Sequence, residues 1–288
     1  MKKEEKKSFV DKLLSMAKNE IRVSYKLSDK PLKGAVSKIG GKPLVPKDFE
    51  WPYYTGTDYL DENRKMRPLS FLAQFHLNDI APFDTDGILP KSGILSFFYE
   101  LETMRWGFDP DDLNSAKVFY FSEAEELSEA DYPKDLDEEF IVAEFAVELV
   151  NHVSILQYCD YNDEDRPDWN DYDECSITAG YEPDEWGTYS KLLGYPDVIQ
   201  NSMQAECETV TRGYRQGCPE DNAKIPEEEK QEINEKAKDW MLLFQMGNVE
   251  SDHYELMFGD CGHIYFWIKK EDLKAKEFNK IWVILQCS

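Results

Sequence analysis

The chain has 288 residues, 41% of them hydrophobic and 14% aromatic, enough for one large domain or two ordinary ones with a real core. Its 58 acidic residues outnumber 33 basic ones, and the net charge of −25 repels phosphate backbones and anionic headgroups. That field argues against nucleic acid as the main partner and favours a basic protein. No run approaches the roughly 18 apolar residues a membrane span needs, and MKKEEKKSFVDKLLSMAKNEI at the N-terminus lacks the apolar stretch of a signal peptide. Cys159, Cys175, Cys207, Cys218, Cys261 and Cys287 include no CxxC pair, so the reading is a reduced, cytoplasmic chain without a zinc site or a disulfide framework.

In chain order, Phe9, Val10, Leu13, Leu14, Ala17 and Ile21 recur at helical spacing and predict an amphipathic helix. Its polar face mixes signs, so it is expected to pack on the body rather than on a membrane. PLSFLAQFHL alternates Leu69, Phe71, Ala73, Phe75 and Leu77 against Gln74 and His76, a strand with one strongly apolar face. SGILSFFYE (Leu95, Phe97, Tyr99), KVFYFS and FIVAEFAVELV (Ile141 to Leu149) continue the strands. CDYNDEDRPDWNDYDECS then reads as an acidic, mobile connection. A helix follows within PEEEKQEINEKAKDWM, started by Pro226 and acid-rich at its N-terminal end. WMLLFQMG, CGHIYFWIK and IWVILQC give three more strands, with a short helix near KEDLKAKEF before the last.

The second half repeats the order of the first. Gly41, Gln74 and Gly93 pair with Gly194, Gln245 and Gly262 at offsets of 153, 171 and 169, the pattern of a diverged tandem duplication. The expected fold is α+β: mostly antiparallel sheets from two similar halves, with peripheral helices. Residues 1–38 form an N-terminal helix and lead-in, 39–158 the first sheet-rich half, 159–182 the acidic connection and 183–288 the second half, all in one compact unit.

IGGKPLVPKDFEWP, PLSFLAQFHLND, LLGYPDVIQNSM, FGDCGHIYFWIKKEDL and WVILQC resemble the YwqG-like bacterial proteins of unknown function, from about Gly40 to Cys287. The resemblance implies a mostly β, α+β cytoplasmic protein with no assigned activity or catalytic residue, and points toward an immunity-like role.

The stretch GGKPLVPKDFEWP is no phosphate loop. Pro43, Pro46 and Pro52 remove amide donors and enforce extended chain, so it predicts a tight turn and a stiff run ending at Trp51. The acidic runs lack the glycine an EF-hand loop needs at its sixth position. His76, His152, His253 and His263 have no HExxH spacing, so no metal and no cofactor is expected. FGDCG sets Asp260 and Cys261 in a hairpin turn. Two functional readings stand. The first is a non-enzymatic binding protein whose acidic, aromatic-rich surface takes a basic protein partner, with Trp169, Tyr172 and Trp186 supplying contact among Asp163, Asp165, Asp168, Asp171, Asp173 and Glu185. The second is an enzyme, such as a hydrolase, with a site between the halves near Gln74, His76, Gln245 and Asp260.

Overall fold

A computed structural model describes residues 1–57, 63–184 and 187–288. The architecture is α+β, built on one antiparallel sheet. Its strands are β1 (Lys18–Leu27), β2 (Lys38–Ile39), β3 (Ser70–His76), β4 (Ile94–Tyr99), β5 (Ala116–Phe121), β6 (Phe145–Ser154), β7 (Ser190–Leu193), β8 (Trp240–Met246), β9 (His263–Lys269) and β10 (Ile281–Gln286). They lie in the order β10-β9-β8-β7-β1-β6-β2-β3-β4-β5. The sheet curls until its two edge strands, β5 and β10, come into contact. The loop after β4 seals the join: Leu285 N donates to the Trp106 carbonyl at 3.0 Å, and Trp282 Nε1 to the Gly107 carbonyl at 2.9 Å. Closure of this kind shields edges that would otherwise template pairing with other chains.

The N-terminal reading needs correction. Helix α1 runs only from Lys3 to Met16, and Ala17 alone separates it from β1, which lies at the centre of the sheet. Helical spacing through Ile21 was a coincidence of two periods. From Asn19 onward, Ile21, Val23 and Tyr25 recur every second residue, and Ile21 and Val23 are buried in the core. The lead-in is therefore a structural strand paired to β6 over its whole length, from Lys18↔Ser154 to Leu27↔Phe145.

The single apolar face expected for residues 69–77 also proves to be two faces. Against β4, β3 breaks register between Phe71 and Ala73, and against β9, β8 breaks register between Leu242 and Phe244. A bulge passes an extra residue and swaps the faces of the residues beyond it. Leu69 and Phe71 therefore join an outer cluster with Tyr54 and Phe98, while Leu72, Ala73 and Phe75 face inward. Likewise Trp240 and Leu242 lie outside with Trp267 and Trp282, while Leu243, Phe244 and Met246 face inward. On the first outer face, GGKPLVPKDFEWP delivers Trp51, whose Nε1 donates to the Leu69 carbonyl at 2.8 Å and whose ring stands edge-on to Phe98 at 5.4 Å. On the second, α3 (Gln204–Thr211) covers the tryptophans with Met203, Cys207 and Val210.

The two sides of the sheet match in register. Lys38 of β2 lies opposite Gln74, and Lys191 of β7 opposite Gln245. Each glutamine is wholly buried and bonds the segment that crosses over it. Gln74 Oε1 accepts from Leu44 N at 3.0 Å and Nε2 donates to the Val36 carbonyl at 2.8 Å. Gln245 Oε1 accepts from Asp197 N at 2.9 Å and Nε2 donates to the Tyr189 carbonyl at 3.1 Å. After β2 the chain turns through Gly40 and Gly41 at φ 60° and 68°, and β7 turns at Leu193 and Gly194 at φ 62° and 76°. Leu193 thus holds a left-handed conformation that its counterpart assigns to glycine.

The lysines differ in surroundings. Lys38 Nζ meets Glu144 at 2.6 Å. Lys191 is enclosed between Glu20 at 2.9 Å and Asp197 at 2.8 Å. Burial pulls the Lys191 ammonium down, but Asp197 and Glu20 outweigh it and hold the group above its ordinary value. Replacing one partner of a buried pair strands the other charge. Lys191→Met is expected to cost about 3 kcal/mol or more in urea unfolding. Lys38→Met should cost clearly less, because Glu144 keeps partial exposure and the Leu32 N–H at 2.7 Å. Equal losses in the two variants would contradict this account.

Candidate functional site

The acidic connection is a folded element. Asp168 caps helix α2 (Trp169–Thr178) by accepting from Asp171 N at 3.0 Å. The helix buries Tyr172, Cys175 and Ser176 against α1 and residues 155–161. Phe9 of α1 stands edge-on to Tyr161 at 5.4 Å and to Tyr172 at 5.6 Å, the offset geometry that aromatic quadrupoles favour. Charge follows the same seam. Lys6 pairs with Asp171 at 2.7 Å and with Glu174 at 2.5 Å, and Lys12 pairs with Asp163 and Asp165, each at 2.8 Å. The N-terminal ammonium also meets Asp171. These contacts hold the Asp165 and Asp171 carboxyls below the usual range, chiefly through Lys12 and Lys6. The expectation of a mobile connection is corrected: part of it is helix, and the chain's own N-terminal lysines engage Asp163, Asp165, Asp171 and Glu174.

Beside α2 opens a cleft of about 340 Å³. Tyr158, Trp169 and Tyr172 line it together with Tyr181, Pro183, Val198 and Ile199. Trp169 packs against Tyr158 at 5.0 Å and Tyr172 against Tyr158 at 5.2 Å, so these three rings form one aromatic group. Tyr172 donates its hydroxyl to the Leu156 carbonyl at 2.8 Å, which fixes its ring. Trp169 remains 61% exposed at the mouth. Gln157, Asp173 and Ser176 supply the polar groups, and among the described residues Asp173 has no cationic partner. Burial pushes the Tyr172 and Tyr181 phenols up, so both stay neutral donors. An apolar aromatic wall with one uncompensated carboxylate suits a cation carried on an apolar stem.

Of the residues singled out in the sequence, the fold brings Trp169 and Tyr172 together here. Trp186 and Glu185 lie outside the described residues. Gln74 and Gln245 are interior: Gln74 bonds backbone groups, and Gln245 bonds backbone groups and the Asp197 carboxylate. His76 is half-buried with Nδ1 3.4 Å from Asp79, and Asp260 is exposed in the turn between Phe258 and Gly262. Among the described residues no hydrogen bond or ion pair joins Gln74, His76 and Asp260. Between β3 and β4 on one side and β8 and β9 on the other, Phe75 and Phe97 meet Phe244 at 5.1 and 4.7 Å, and Phe97 meets Phe266 at 5.2 Å. Among the described residues no group of three His, Cys, Asp or Glu is placed to hold a metal ion. Tyr158, Tyr181 and Pro183 were missed because no local spacing links them to α2.

Directly after Pro183, Asp184 accepts from Thr188 N at 3.0 Å and Tyr189 N at 2.6 Å and lies 3.0 Å from His263 Nε2. Burial alone would raise this carboxyl, but His263 and the two N–H donors outweigh it and hold it at about 2. A depressed folded value means stability that is present above the unfolded carboxyl's ordinary value of about 4 and is lost as pH falls toward the folded value. The stability gap between wild type and Asp184→Asn is therefore expected in full at about pH 6 and to close between about pH 4 and pH 2. Urea unfolding across that range checks it; a gap that widens on acidification would contradict the assignment.

No curated protein matches the chain. Residues 37–287, from β2 to the end of β10 and excluding only α1, β1 and the segment after it among the elements described, match the family model for a domain of unknown function, DUF1963. A match across most of the chain makes the protein a member of that DUF1963 family.

Proposed function

We propose that this DUF1963 protein is a non-enzymatic binding protein, and that the cleft beside α2 receives a cationic side chain from a basic protein partner. The observation that carries the reading is the exposed Trp169 at the mouth of an aromatic cleft whose Asp173 lacks a cation among the described residues. The molecule's own cations support it. Arg166 lies over the Tyr158 ring at 4.5 Å, Lys12 over Tyr161 at 5.2 Å and Lys18 over Tyr195 at 3.9 Å, so this surface already takes cations on tyrosine faces. The net charge of −25 would speed encounter with a basic protein, and salt would weaken that gain. Because α1 neutralises Asp163, Asp165 and Asp171, contact energy in this reading comes from the cleft, and the acids act mainly through the long-range field. An immunity-like role in a cytoplasmic bacterial setting and a place among the YwqG-like proteins belong to the same proposal. So does descent by internal duplication, which the matched lysine and glutamine registers and paired bulges support.

The test is retention of a basic protein from lysate at low salt, followed by kinetics on the purified pair. Trp169→Ala and Asp173→Asn are each expected to weaken binding about tenfold, a loss typical of an anchor residue, without moving the unfolding midpoint. If no basic protein is retained, or neither variant changes its affinity, the reading fails.

A further inference from the structure

A second cavity, of about 260 Å³, lies on the first half beside β3. Glu102, Asp135, Asp137 and Glu139 stand around it, with Leu136 and Phe140 as apolar walls and Ser70, the first residue of β3, in its lining. Arg67 pairs with Glu102 at 2.9 Å, and Tyr53 donates to Asp135 at 3.0 Å. Among the described residues Asp135, Asp137 and Glu139 have no cationic partner. Ser70 is 1% exposed, and its Oγ is buried without a hydrogen-bond partner among the described residues. Buried hydroxyls are rarely left unpaired, because the lost hydration is not otherwise recovered. Ser70 Oγ can accept as well as donate, so a donor bound in the cavity could pair with it.

We infer that this cavity binds a primary alkylammonium group. The carboxylates do not converge as a metal-binding group, which a bare divalent ion would require. An ammonium carries three donors and a flexible apolar stem, so it can reach Ser70 Oγ and the rim carboxylates together while its methylenes lie on Leu136 and Phe140. At about 260 Å³ the space suits one side chain or a short diamine rather than a larger ligand. The inference stands apart from the aromatic cleft and does not depend on it. The ammonium can come from a free amine or from a lysine of another protein.

Calorimetric titration of the full-length protein with cadaverine, and separately with a short peptide bearing one lysine, distinguishes the sources. One saturable site per chain is expected for at least one probe. Asp137→Asn with Glu139→Gln should weaken it about tenfold or more, since charge-assisted bonds are lost. Asn still caps the turn that Asp137 begins, so folding should be retained, and a thermal melt verifies this. Ser70→Ala, which leaves every charge in place, should weaken it several-fold, whereas Glu228→Gln on the remote helix Glu227–Lys236 should not. Tighter binding of the peptide assigns the ammonium to a protein side chain, and tighter binding of cadaverine to a free amine. Non-saturating binding of both probes, or binding indifferent to the Ser70 and Asp137/Glu139 changes, overturns the site.

Discussion

Contact between the inner phenylalanines of the two sides is the constraint on which the rest depends. Phe75 and Phe97 reach Phe244 and Phe266 only if the sheet bends far enough to bring β3 and β4 over β8 and β9. That bend brings β5 to β10 and allows the Trp106–Gly107 loop to close the seam. It also turns the remaining faces of the same strands outward, where they need separate cover. The Trp51 run and α3 supply it, one on each side. A single aromatic seam therefore accounts for the curl, the closure and the two outer layers.

Much of this was legible in the residues. Apolar runs located β4, β8, β9 and β10 closely, the first three with a flanking glycine, because each is a short run bounded by polar or turn residues. The matching positions of Gln74 and Gln245 were visible, but the backbone groups they hold were not, because those come from segments placed only by the fold. β1 was not legible, because Phe9 to Leu13 and Ile21 to Tyr25 are two patterns of different period with one residue between their elements. The bulges were not legible either: Leu72 and Leu243 are as apolar as their neighbours, so composition cannot mark the point where faces exchange.

The site was half legible for a related reason. Trp169 and Tyr172 stand three apart on one helix, and a single-sequence reading can see them. Tyr181, Val198 and Ile199 arrive from elsewhere and are placed only by the fold. Acidic composition was misleading in a different way. A run such as DYNDEDRPDWNDYDE reads as solvated chain until its countercharges are found, and those lie more than a hundred residues upstream in α1.

The central place of β1 has a consequence for how the chain comes to be made. One partner of this strand spans 145–154 and the other 190–193, so both are synthesised well after it. More than a hundred residues must be synthesised before either edge of β1 can pair. In the interval Ile21, Val23 and Tyr25 have no sheet to join, and such long-range pairing is slow and leaves apolar strand exposed. The lysine- and glutamate-rich sequence of α1 directly before it keeps that waiting strand next to a strongly hydrated segment. Nascent-chain solubility is thus tied to the same lysines that later fasten α1 to α2.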